Sequence, residues 1–198
     1  MITDSAGLQK RTLAEAVREA VDGGASVIQL RDKLAGHAQI VSQAREILAI
    51  TRPAGVPLIV NDSIEAARES GADGVHLGQD DASLAEAREA LGPEAIIGRS
   101  THSPAQALAA QNEGFDYIGV GPVFATPTKP SYEPVGLELV NFASKNITIP
   151  FVAIGGINEG NALRVREAGA RTVAVVRAVM ASENPAKTTE NLCRIMAQ

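Results

Sequence analysis

The sequence predicts a (β/α)8 barrel, and three observations carry that prediction. Short, β-branched apolar runs recur along the 198 residues, Ala/Glu/Arg-rich helical stretches separate them, and glycines punctuate the helix ends. Strand alternating with helix means βαβ units and a parallel sheet. The strands fall at residues 27–30, 58–60, 75–77, 96–98, 117–120, 151–154 and 173–176. Each is a continuous apolar run, the pattern of a strand buried on both faces. The helices fall at 13–21, 37–51, 64–70, 84–91, 104–113, 137–145, 162–168 and 185–196. Gly24, Gly71, Gly114 and Gly169 each lead from a helix into a strand, and glycine takes the left-handed C′ conformation cheaply. Pro57, Pro93 and Pro150 announce the intervening strands. A two-unit period repeated four times makes eight strand–helix units. The remaining strand is a shortened one, Met1-Ile2-Thr3, ahead of the first helix. At about 25 residues per unit, one domain over 1–198 suits a barrel at the low end of its size range. The alternative is an open doubly wound sheet, which needs no closing strand. Such a sheet gathers its site at one switch point, whereas polar residues here follow nearly every strand.

Composition narrows the function classes. The chain is 45% hydrophobic and 21% charged, which fits an ordered globular domain. Its formal charge is -5, and no Lys/Arg cluster exceeds two residues, which argues against nucleic acid as partner. Trp is absent and aromatics make up 3%, too few for a base-stacking platform. Cys193 is the only cysteine, so an internal disulfide and a cysteine-rich zinc site are excluded and a reducing compartment is expected. No apolar run approaches a membrane span, and no export signal is visible at the N-terminus. The expectation is a cytoplasmic protein acting on small molecules, with a homo-oligomer left open.

In a barrel the chemistry sits at the C-terminal ends of the strands. After the strand at 27–30, alternation turns Gln29, Arg31 and Lys33 the same way, an anion clamp unless the charges are merely solvated. Asn61-Asp62 follows the next strand, and Gly78-Gln79-Asp80-Asp81 the one after. Neighbouring carboxylates repel, and a bound divalent cation removes that cost. Hard oxygen ligands without a His/Cys cluster select Mg²⁺. Asp62 and Asp81 are the favoured ligands; the plainer reading has Asp80 or Asp81 capping the helix that starts near Leu84. Ser100, Thr101 and His102 follow the strand at 96–98, and Ser103 before Pro104 is a natural N-cap. His102 receives no role, and His76 reads as strand-bound and structural. Residues 121–136 have no regular pattern and carry Thr126, Thr128 and Lys129 between prolines, a lid or binding loop unless a tolerated insertion. Gly155-Gly156 and then Val176-Arg177 follow the last two strands, where barrels cradle phosphate. Two anionic sites at one mouth, with no evident nucleophile, suggest ionisation of a diphosphate ester and capture by a second substrate.

These segments resemble the thiamine-phosphate synthase family along essentially the whole chain. The stretches that carry the resemblance are QLRDK at 29–33, VND at 60–62, GADGVHLGQDD at 71–81, STH at 100–102, DYIGVGP at 116–122, TPTK at 126–129, GLE at 136–138 and AIGGI at 153–157. The resemblance implies transfer of a 4-amino-2-methylpyrimidin-5-ylmethyl group from its diphosphate to the nitrogen of a thiazole phosphate, or its carboxylated form. It implies Mg²⁺ on Asp62 and Asp81, and pyrimidine-diphosphate contacts from Gln29, Arg31, Lys33, Asn61, Ser100 and Lys129. Of these, Arg31, Lys33, Ser100 and Lys129 would serve catalysis. Thiazole-phosphate contacts fall on Thr126, Thr128, Gly156, Val176 and Arg177. The implied mechanism is dissociative, with diphosphate leaving before the thiazole nitrogen attacks. The chain departs from many relatives in having Arg177 where they have serine. It also begins at Met1, where relatives carry several more residues, so a late start or a longer polypeptide is expected, with a weakened N-terminal barrel face. Two other readings are a thiazole tautomerase, which has no use for a diphosphate clamp, and a non-catalytic barrel that binds thiamine precursors.

Overall fold

The computed structural model describes residues 1–5, 8, 11–126 and 133–197. Seven strands form one parallel sheet in sequential order: β1 (Ile28–Leu30), β2 (Leu58–Asn61), β3 (Gly74–Leu77), β4 (Ile96–Thr101), β5 (Tyr117–Val120), β6 (Phe151–Ile154) and β7 (Val173–Ala174). The eighth position belongs to residues 1–3. Gln29 N donates to Met1 O at 2.8 Å and Thr3 N to Gln29 O at 2.9 Å. On the opposite side Ile2 N donates to Val175 O at 2.9 Å, just beyond β7. The shortened first strand thus bridges the two edges of the sheet and closes the barrel, although only Ile2 pairs with β1 as a regular bridge.

The helices follow their capping chemistry. α1 (Leu13–Asp22) and α4 (Leu84–Leu91) begin with capping boxes, Thr12 with Glu15 and Ser83 with Glu86. Ser63 caps α3 (Ile64–Ser70), and Ser103 caps α5 (Pro104–Glu113) ahead of its proline. α2 (His37–Thr51), α6 (Gly136–Asn146), α7 (Ala162–Glu167), α8 (Arg177–Met180) and α9 (Pro185–Ala197) complete the outer layer. The four punctuating glycines all have positive φ, as the repeat predicts.

Two expectations are corrected. Ser83, not Asp80 or Asp81, caps α4, because its hydroxyl reaches Glu86 N while Asp81 turns back to Gly78 N. β4 continues through Ser100 and Thr101, which pair with Gly119 and Val120 of β5; polar side chains at a strand's end look like loop in sequence.

Outward strand residues such as Ile28, Leu58, Val75, Ile97, Ile118 and Ala153 are fully buried in one core with helix residues such as Val17, Ile47, Ala87 and Val140. The inward positions are different. Gln29, Ile59, Asn61, His76, Ser100 and Gly119 line a cavity of about 880 Å³ that reaches from the strands' C-terminal mouth to Val27, Ile96 and Pro150 at the lower rim.

Candidate active site

Thr3 sets the clamp on β1. The residue is 1% exposed, and its hydroxyl accepts from Arg31 N at 2.9 Å and donates to Arg31 O at 3.1 Å. Asp32 turns away from its neighbours and accepts from Ser5, Gln43 and the Leu34 amide. Partial burial raises the Asp32 carboxyl, but these hydrogen bonds and one from Ala35 outweigh it and hold the group below the ordinary carboxylate range. Anchoring Asp32 this way leaves Arg31 on the cavity wall, in line with Gln29, as strand alternation predicts.

Lys33 Nζ pairs with the Asp62 carboxylate. Asp62 follows β2 with φ at 64°, the one positive-φ residue other than glycine among those described. Its amide donates to His76 O at 2.8 Å, and Ser63 N donates to Asn61 O at 2.8 Å. Such a conformation persists only where its surroundings enforce it, and it accumulates at functional sites. Asp81 lies in the turn after β3, its carboxylate accepting from Gly78 N at 2.6 Å. Among the described residues no group of three or more His, Cys, Asp or Glu side chains is gathered for a metal ion. A pair of carboxylates after adjacent strands is nonetheless the donor set that Mg²⁺ uses when substrate phosphates and water supply the other ligands.

Across the mouth, Thr126, Gly156, Val176 and Arg177 line the cavity. The loop after β5 lies directly on the glycine pair: Phe124 N donates to Gly155 O at 3.0 Å, and a Cβ on Gly156 would meet Ala125 O at 2.7 Å. Asn161 Nδ2 holds Gly156 O at 2.9 Å. β7 stops at Ala174, sooner than the apolar run suggests, and Arg177 opens α8 with an exposed side chain. Thr128 and Lys129 lie outside the described residues.

The structure therefore brings Gln29, Arg31, Asn61, Ser100, Thr126, Gly156, Val176 and Arg177 around one cavity. Lys33, Asp62 and Asp81 are not on its lining; the first two pair with each other beside Asn61. Two histidines to which sequence reasoning assigned no functional role are on the lining. His76 is strand-bound as expected, but its ring faces the cavity between Tyr117 and Ser100. The signal was alternation, since Val75 and Leu77 face the helices and His76 must face inward. His102 also lines the cavity, with Nδ1 on Gly121 O.

The family model for thiamine monophosphate synthase matches residues 1–179. A thiamine-phosphate synthase of Pelotomaculum thermopropionicum is 49% identical over 175 residues, covering 88% of this chain and 80% of that protein. One of Gloeobacter violaceus is 48% identical over 177 residues, 89% of this chain but 52% of its own length. The chain thus spans about half of that relative. Among solved structures, the thiamine phosphate pyrophosphorylase of Pyrococcus furiosus superposes with a TM-score of 0.89 at 37% identity, covering 99% of this chain and 94% of its own. With that agreement in sequence and fold, the chain belongs to the thiamine monophosphate synthase family.

Proposed function

We propose that this chain is a thiamine-phosphate synthase, transferring the pyrimidinylmethyl group from its diphosphate to the nitrogen of a thiazole phosphate. The observation that carries this reading is the arrangement of one mouth: Arg31 just after β1, Asn61 on β2 and Ser100 on β4 face Thr126, Gly156 and Arg177 across the same cavity. Arg31 and Lys33 hold the diphosphate, with Lys129 as a further cation. Gln29, Asn61 and Ser100 orient the pyrimidine end. Asp62 and Asp81 would hold Mg²⁺, which when bound would neutralise charge on the leaving diphosphate. Thr126, Thr128, Gly156, Val176 and Arg177 seat the thiazole phosphate, with Arg177 contributing a side-chain charge.

The protein's work is charge stabilisation and positioning. The carbon–oxygen bond to diphosphate breaks first, leaving a pyrimidine-stabilised methylene cation, and the thiazole nitrogen then forms the new carbon–nitrogen bond. Juxtaposing the two substrates supplies up to about 7–11 kcal/mol of the barrier reduction. No described helix is long and apolar enough to cross a membrane, and the lone Cys193 suits a cytoplasmic setting.

The test mixes purified protein with the pyrimidine diphosphate, the thiazole phosphate and Mg²⁺, adds pyrophosphatase, and detects thiamine phosphate by chromatography. Product should need both substrates and the cation. Folded protein that binds thiazole phosphate without making product would favour a tautomerase or a binding barrel instead.

A further inference from the structure

Three strands build a polar chain inside the barrel. Tyr117 of β5 lies over Gly98, its register partner on β4, where an added Cβ would stand 2.1 Å from the ring's Cζ. An added Cβ on Gly119, two residues further along β5, would come within 3.4 Å of His76 Cε1. Bare positions on adjacent strands thus make room for two rings, which lie tilted at 35° with centroids 5.4 Å apart. His76 Nδ1 is 2.9 Å from the Tyr117 oxygen, and His76 Nε2 is 2.9 Å from Ser100 Oγ.

The proton inventory gives this chain a direction. A neutral imidazole carries one N–H and one acceptor nitrogen. Enclosure pushes the Tyr117 phenol well above its ordinary pKa, so it keeps its proton. In the Nε2–H tautomer Tyr117 donates to Nδ1 and Nε2 donates to Ser100 Oγ. In that tautomer the Ser100 proton is the one the chain delivers to the cavity.

We propose that Tyr117 and His76 are positioning residues that fix Ser100 as a hydrogen-bond donor toward an acceptor atom of the pyrimidine diphosphate, an inference that rests on the substrate reading above. A serine hydroxyl otherwise rotates among several partners. Holding its oxygen as acceptor from His76 leaves one orientation for its proton, so donor placement precedes substrate arrival.

Two measurements test it. In protein labelled with ¹⁵N-histidine, with His76 assigned by its loss in His76→Gln, the ring nitrogens should report the Nε2–H tautomer. Kinetically, Tyr117→Phe should lower kcat/KM for the pyrimidine diphosphate roughly five- to tenfold, with KM for the thiazole phosphate within about twofold. The Tyr117→Phe/Ser100→Ala double variant should be no worse than Ser100→Ala alone within about twofold, because Tyr117 acts only through Ser100. An Nδ1–H tautomer, or losses that multiply, overturns the inference. If Tyr117→Phe does not fold, the tautomer of the unsubstituted protein still decides. Unsubstituted protein without turnover would overturn the substrate reading and this inference with it; the wrong tautomer beside normal turnover overturns the inference alone.

Discussion

Replacing Thr3 by valine tests whether the short first strand does more than fill the gap in the barrel. The substitution keeps the shape and removes a buried hydroxyl that bridges Arg31 N and Arg31 O at 2.9 and 3.1 Å. Each net hydrogen bond contributes about 0.5–1.5 kcal/mol, so the loss of two costs about 1–3 kcal/mol. For a chain of this length 1 kcal/mol moves Tm by about 2–4 °C, which gives a fall of about 2–12 °C. Arg31 loses its backbone anchor at the same time, so kcat/KM for the pyrimidine diphosphate should fall further than that for the thiazole phosphate. Thr3→Ser keeps both hydrogen bonds and loses only a methyl group. Differential scanning calorimetry on both variants, with steady-state kinetics, provides the comparison. The reasoning fails if Thr3→Ser is the less stable of the two, because methyl packing and not the hydroxyl would then hold the first strand.

Asp81→Ala should abolish Mg²⁺-dependent turnover while leaving thiazole-phosphate binding nearly intact; equal loss of both in titration calorimetry would remove Asp81 from the metal site. Arg177→Ala should weaken thiazole-phosphate binding roughly ten- to hundredfold, the scale of a charged hydrogen bond, and pyrimidine-diphosphate binding much less. The Asp32 carboxyl is held below its ordinary pKa, so its stabilising contribution is full above about pH 4 and fades as pH falls through the lower folded value. Asp32→Asn should therefore be less stable than the parent at pH 7 in urea titrations, with the gap narrowing below about pH 4; a gap independent of pH would contradict the assignment. At Asp62, Gly should be more stable than Ala by about 1 kcal/mol, since both lose the Lys33 pair and only Gly accepts φ of 64° without strain; the reverse order in urea midpoints would show that the conformation is not strained.

The helices and most strands were legible because their signals are local. Ser63, Ser83 and Ser103 each act within three residues of themselves, and the punctuating glycines act within one turn. The mouth was legible too, because period-2 alternation places Gln29 with Arg31 without knowledge of any partner strand. What escaped depends on residues far apart in sequence. Thr3 meets Arg31 across 28 residues, and His76 meets Tyr117 across 41. No local pattern marks such pairs. Gly98 and Gly119 were the available trace, since glycine inside a strand often marks the close approach of another group, but which group approaches requires the register of β4 against β5.

The same register explains how this barrel separates stability from function. A typical barrel interior is a packed core of branched side chains. Here the inward positions of β3, β4 and β5 carry His76, Gly98, Ser100, Tyr117 and Gly119; the two rings occupy the room above the glycines, and His76, Ser100, Tyr117 and Gly119 line the cavity. The branched residues are on the other face: Val75, Ile97, Ile118 and Val120 are all fully buried against the helices. Hydrophobic stabilisation therefore resides in the strand–helix layer, at about 1.5–3 kcal/mol for each such side chain buried, and the interior is released from packing to hold polar groups. Strain at Asp62 is tolerable for the same reason. The residue follows β2, whose Leu58 and Val60 are fully buried in that outer layer, and the hydrogen bond from its amide to β3 keeps it in place. A site of this kind can exchange its polar residues at small cost to the fold, whereas one truncation in the outer layer, such as Ile97→Ala, costs about 2–5 kcal/mol without touching the chemistry.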